Sequence, residues 1–269
     1  MSKYTTIPWR ILQYIRHLFY FRHRDGHGIH SPYLFDFIHR VVFNARGLEP
    51  PVRVREVHQA MRRECSLIPE DPGGFGAGSR ADFSRTRTIS SFVKRSSVSR
   101  KYGALLFRIT RWFEPDMILE LGAGLGISAA YLSSGAPRAP MRTVEGSSLR
   151  GTISRQVFKR CQLEAVQWVQ EDLDRELEGI LAELKGRFLV FVDANHRYEP
   201  TVRYLEAIFR RAEGEALVIL DDLYWSPGMY RAWRQVAGRP EVRASIDLFR
   251  MGILLLRPDL HKTSLKILF

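Results

Sequence analysis

Two cysteines in 269 residues, Cys65 and Cys161, are too few and too far apart for a disulfide framework, and no C-x-x-C pair offers a thiolate metal site. Both are expected to be buried free thiols. No apolar run approaches the roughly 20 residues that a membrane-spanning helix needs. The first 24 residues also lack the unbroken apolar core of a secretion signal, so the chain reads as cytoplasmic. Acids are scarce at the front. Residues 1–110 hold 19 Lys or Arg against 8 Asp or Glu, whereas residues 111–269 hold 22 against 21, so the net charge of +12 sits almost wholly in the first part. No internal repeat is present, which excludes solenoids and propellers.

What is there suits a folded α/β chain. A hydrophobic content of 45% can bury a core. Composition changes near residue 100, where the glycine-rich "DPGGFGAGS" and the Ser/Arg-rich run after it give way to strong strand and helix patterns. This divides a basic, mainly helical extension (residues 1–100) from a core domain (residues 101–269). In the core, "MILEL", "RTVEG", "VQWVQ", "FLVFVDA" and "ALVILDD" are each followed by a helical pattern. Five strand-then-helix units in series predict a mostly parallel, doubly wound sheet with helices on both faces. The runs "ASIDLF" and "GILLLR" close it as an antiparallel hairpin.

Ligands of such sheets sit beyond the carboxyl ends of the strands. There the stretch "ILELGAGLGIS" (Ile118 to Ser128) places Gly122, Gly124 and Gly126 between the first strand and its helix. Bare backbone lets ligand atoms approach and allows positive φ. The G-x-G-x-G spacing has Ile127 where a dinucleotide fingerprint wants glycine, and no Gly-Lys-Ser/Thr follows, so neither NAD nor a Walker phosphate loop fits. Acids stand before the turn (Glu120), after the second strand (Glu145) and after the third (Asp172). An acid in the second position can accept both ribose hydroxyls of a nucleoside, and one in the third can accept from an adenine amino group.

Together these motifs resemble the class I methyltransferases that use S-adenosylmethionine, over roughly Lys101 to Arg257. The resemblance implies a Rossmann-like, seven-stranded sheet. It also implies cofactor contacts at Glu120, Gly122, Gly124, Gly126, Ser128, Glu145, Gly146, Asp172 and Asp193. "FVDANHRYEP" and "LDDLYWSPGM" are similar to the segments after strands four and five of catechol and caffeoyl-CoA-type O-methyltransferases. In that branch three such positions hold a divalent cation such as magnesium and a lysine acts as base. The matching residues here are Asp193, Asp221 and Asp222 for the metal, and His196 for the base, with Asp193 and His196 as the catalytic pair. Asp222 replaces Asn and His196 replaces Lys, two departures from the pattern. The expected activity is O-methylation of a small phenolic or lipid-linked acceptor. Two alternatives remain open at this stage: an RNA methyltransferase whose basic front binds phosphates, and a cofactor-binding protein without chemistry.

Segments such as "HGIHSPYLFDFI" and "IDLFRMG" resemble recurring segments of uncharacterised bacterial methyltransferase-like proteins, which makes the front part of the architecture. Its first helix, "IPWRILQYIRHLFYFRHR", is basic, apolar and aromatic. Such a helix can lie on an anionic membrane surface; it can equally pack on the core or on a second copy as a homodimer. The five histidines from His17 to His39 have no metal-ligand spacing and read as surface and capping residues. "FGAGSR", with Arg80, Arg85 and Arg87, has the composition of a lid or of an ordinary connection.

Overall fold

The computed structural model describes residues 6–20, 29–43, 48–69 and 86–269. They fall into two compact units interleaved in sequence, one made of residues 6–43 and 181–269 and the other of residues 48–180, within those bounds. This division cuts differently from the change of composition near residue 100.

The chain opens in the first unit with α1 (Thr6–Tyr20) and α2 (Pro32–Phe37), the latter running into a π-helical turn, Ile38–Phe43. The second unit then holds α3 (Val52–Met61), β1 (Leu67–Pro69), β2 (Thr86–Thr88), α4 (Ile89–Ser96) and α5 (Arg100–Phe113). It continues with β3 (Met117–Leu121), α6 (Ile127–Gly135), β4 (Met141–Val144), α7 (Ser148–Cys161), β5 (Val166–Val169) and α8 (Leu173–Leu181). The chain returns to the first unit with β6 (Phe188–Val192), α9 (Tyr198–Arg210), β7 (Ala216–Leu220) and α10 (Pro227–Ala237). It ends with β8 (Ala244–Asp247), β9 (Gly252–Leu256) and β10 (Thr263–Lys266).

All five predicted strand-then-helix units form. In the second unit β3, β4 and β5 are parallel neighbours. In the first, β6 and β7 are parallel, and β9 runs antiparallel to both β7 and β8, the closing hairpin. The mostly parallel sheet has eight strands, where the resemblance implies seven. The additional one is β10, parallel to β8 at residues Thr263 to Lys266. Its Thr-Ser-Leu-Lys sequence has only one buried position, so no apolar run announces it. β6, β7 and β9 are buried at every position, which is why their sequences are continuous apolar runs rather than alternations.

Glycines set the closest packing distances. A Cβ on Gly103 of α5 would stand 2.4 Å from the Tyr131 ring of α6, and one on Gly135 of α6 would stand 2.6 Å from the Phe107 carbonyl oxygen of α5. Each helix thus gives up a side chain to let the other approach. Gly252 does the same for the Trp233 ring of α10, at 2.4 Å.

His58 of α3 is 1% exposed, and its Nδ1 is hydrogen-bonded to Tyr131 Oη at 3.0 Å. Burial, then the charges of Arg62 and Arg100, push its pKa from 6.5 down to about 4. The folded ring resists a proton that the unfolded ring accepts, so its contribution to stability is complete above pH 6.5 and is lost as pH falls towards 4. At 1.36 kcal/mol per pKa unit this amounts to about 3 kcal/mol. Urea unfolding across that pH range is expected to show the loss, and His58→Gln to flatten it; an unchanged slope in the variant would place the acid sensitivity elsewhere.

Of the two cysteines expected to be buried, one is and one is not. Cys161 is buried, its thiol pushed up to about 11 by burial, whereas Cys65 is exposed. His17 likewise departs from the surface reading. It is fully buried, with Nε2 3.0 Å from the Ile267 carbonyl oxygen and Nδ1 3.8 Å from Asp247, and it anchors α1.

Candidate active site

In the second unit, the apolar run of β3 ends at the glycine turn, which enters α6 through three positive φ angles: 99° at Gly122, 52° at Gly124 and 79° at Gly126. The glycines are not equivalent. A Cβ on Gly126 would meet Phe158 at 2.8 Å and Ser154 at 3.1 Å, so this position lets α7 close on the turn. Among the described residues, a Cβ on Gly124 would find only the Phe92 ring, at 4.0 Å. Gly124 is therefore where a ligand can approach the backbone at the head of α6.

The acids of this unit are tied into its framework. Glu120 is fully buried and accepts a hydrogen bond from the Thr143 hydroxyl. Glu145 takes the Gly124 N–H on Oε2 at 3.0 Å and the Ser147 N–H on Oε1 at 3.1 Å, with Arg150 3.6 Å away. Its carboxylate fixes the shape of the glycine turn from the end of β4. Asp172 accepts from the Asp174 N–H at 2.9 Å and lies 3.6 Å from Arg175, holding the first turn of α8. Ser128 is buried on α6, and Gly146 follows Glu145, its carbonyl oxygen accepting from Gln170 at 3.4 Å. Phe92 carries Arg150 and Arg87 over its ring, at 5.2 and 5.6 Å. Arg80 and Arg85 of the suggested lid lie outside the described residues.

The first unit gathers Asp193, His196, Asp221 and Asp222 at the carboxyl ends of β6 and β7. His196 Nε2 lies 3.4 Å from Asp193 Oδ1, and His196 Nδ1 is buried without a hydrogen-bond partner among the described residues. Burial works against a charged ring, but the hydrogen bond to Asp193 and the charges of Asp193, Asp222 and Asp221 outweigh it and lift His196 to about 9. Asp193 itself is raised, first by burial, with His196 opposing. The His196 ring lies 6.0 Å from that of Trp225, a side chain 48% exposed.

Arg250, in the β8–β9 turn, was not singled out by sequence reasoning. Its Nε and Nη2 reach the two oxygens of Asp221 at 3.2 and 3.1 Å, and Nε lies 3.9 Å from Asp222. Asp221 is 1% exposed. Burial and the neighbouring acids raise its pKa, against the pull of Arg250, whose own is raised. The signal that could have found Arg250 is a lone cation between two apolar strand runs.

The residues expected to hold a divalent cation have other partners in this structure. Both oxygens of Asp221 are committed to a guanidinium, Asp193 is committed to His196, and among the described residues no group of three His, Cys, Asp or Glu side chains is placed to hold a metal ion. The cations here are side chains. Backbone geometry concentrates here too: apart from the helix caps Glu114 and Gln162, the non-glycine residues with positive φ are Asn195, His196, Asp222 and Phe249, at 66°, 42°, 52° and 67°, among the described residues. Such conformations persist only where the surroundings impose them, and they concentrate at active sites.

Residues 119–223 match the family model for a methyltransferase domain. Several solved structures share the fold. The O-methyltransferase TomG of Streptomyces achromogenes, involved in tomaymycin synthesis and solved with S-adenosylmethionine, is 19% identical with a TM-score of 0.58, covering 81% of this chain and 94% of its own. An O-methyltransferase of Bacillus cereus in complex with S-adenosylhomocysteine is 16% identical at a TM-score of 0.57, covering 84% and 97%. The S-adenosylhomocysteine-bound methyltransferase PaMTH1 of Podospora anserina is 19% identical at 0.56, covering 78% and 88%. A search among curated proteins finds no match. Over residues 119–223 the chain is thus similar to a methyltransferase domain, and the solved structures share its fold.

Proposed function

We propose that this protein is an S-adenosylmethionine-dependent O-methyltransferase for a small hydroxylated acceptor of phenolic type. The observation that carries the reading is the turn at Gly124, held in left-handed backbone by Glu145, where among the described residues a Cβ would meet nothing closer than the Phe92 ring at 4.0 Å. Among the described residues, that leaves room for a ligand over a helix N-terminus. The relatives solved with the cofactor or its demethylated product support the assignment.

When bound, the cofactor supplies an electrophilic methyl group on a sulfonium. Gly122, Gly124 and Gly126 supply bare backbone for its binding, with Glu120, Glu145 and Asp172 shaping the strand ends around it, and Ser128 and Gly146 completing the turn region. The acceptor side belongs to Asp193 and His196. Asp193 orients the ring through Nε2, which leaves Nδ1 as the atom that takes the hydroxyl proton. A base lifted to about 9 is well matched to a phenol, whose pKa is about 10. Arg250 neutralises Asp221 and keeps the cluster charged yet closed without a metal ion.

His196 is expected to titrate near pH 9 by NMR, and methyl transfer from labelled cofactor to a panel of catechols and simple phenols to rise from neutral pH towards that value. A His196 resonance titrating at an ordinary 6.5 would remove the base assignment. A panel inert at every pH would remove the phenolic acceptor.

A further inference from the structure

Helix α1 is inverted with respect to an ordinary surface helix. Trp9, Gln13 and His17 recur every four residues along the side turned to its own unit. Trp9 packs beside Tyr224 and Tyr230 at 6.1 and 6.3 Å, and His17 is fully buried. The opposite side is apolar and bare. Ile7, Ile11, Leu12, Ile15, Leu18 and Phe19 are 58%, 57%, 46%, 44%, 37% and 80% exposed. A helix at 100° per residue places all six within one arc of less than half a turn around the axis. Isolated exposed apolar side chains are ordinary, but a contiguous face of this kind marks a surface that meets something.

Charge identifies the occupant. The helix contains no acid, and residues 1–28 hold five Lys or Arg against the single Asp25. Arg16 is exposed beside the apolar arc, and Arg10 lies 5.5 Å over the half-exposed ring of Trp225. An apolar arc edged by cations, with an amphipathic indole at its margin, is complementary to acyl chains beneath anionic headgroups. A self-associating face gains nothing from bringing Arg10 and Arg16 against their own copies.

We infer that α1 is an interfacial helix that docks this protein on the surface of an anionic lipid bilayer, lying in the headgroup plane with its Ile11–Ile15–Phe19 side down. No helix of the described residues is long and apolar enough to cross a membrane, which agrees with lying on rather than spanning. The inference does not rest on methyl transfer. It does bear on it, because Trp225 links Arg10 to the His196 ring, so docking brings that end of the unit to the bilayer surface.

The test is flotation of the full chain with vesicles of phosphatidylglycerol in phosphatidylcholine, with phosphatidylcholine vesicles alone, and at low and high salt, alongside sedimentation to measure oligomeric state. The full chain is expected to float with the anionic vesicles only and to release as salt rises. Ile11→Glu with Ile15→Glu is expected to weaken partitioning about a hundredfold while the unfolding temperature stays unchanged, since both side chains already face solvent. Arg16→Gln is expected to weaken it by several-fold and to leave folding intact. A folded chain that ignores anionic vesicles would overturn the inference, as would a double variant that floats like the parent. So would a dimer that the double variant splits, which would assign the face to a second copy.

Discussion

Valine at Gly124 removes S-adenosylhomocysteine binding, with an affinity loss of more than about a hundredfold by calorimetry and little change in fold. Two physical effects add. The 52° φ is a left-handed conformation that costs an L residue roughly 1–2 kcal/mol, and a β-branched one more. The new side chain also enters an open approach to the turn, because among the described residues its Cβ meets no atom nearer than 4.0 Å. The effect therefore falls on the ligand rather than on packing. Gly126→Ala provides the contrast. Its Cβ would collide with Phe158 at 2.8 Å, so that variant is expected to lower the unfolding temperature. If Gly124→Val bound as well as the parent, the turn would have no ligand role.

Alanine at Asp193 lowers methyl transfer by about a thousandfold and leaves S-adenosylhomocysteine affinity within a few-fold. In the proposed mechanism Asp193 acts through His196, where its carboxylate lies 3.4 Å from Nε2 and raises the ring pKa. Without it the His196 pKa drops, because burial is then opposed by fewer charges, and the pH optimum moves down with it. A merely structural role for Asp193 would not move the His196 titration. Equal loss of cofactor binding and turnover would contradict the division of labour proposed for Asp193 and Gly124.

Legibility in the sequence follows physical reach. The five strand-then-helix units are local patterns, and buried parallel strands write themselves as apolar runs such as "FLVFV" and "ALVIL". Positive φ was legible at the three glycines because glycine is the residue that adopts it freely. It was illegible at Asn195, His196, Asp222 and Phe249, where tertiary context imposes it. Arg250 stands out in the sequence only as a lone cation, because its place against Asp221 depends on the pairing of β9 with β7. The same contact gives two of the three acids that read as a metal site a guanidinium neighbour. For α1 the sequence gives an amphipathic pattern but not its orientation. The buried His17, joined to Ile267 across 250 positions, decides which side faces in.

One measurement tests the central claim most directly: calorimetric titration of the full chain with S-adenosylhomocysteine in the presence of chelator. The account predicts one-to-one binding in the micromolar range, with magnesium adding nothing, because the cofactor is held by the glycine turn and the acid cluster already has its cations in Arg250 and His196. No heat from a folded sample, or binding that requires magnesium, would contradict it.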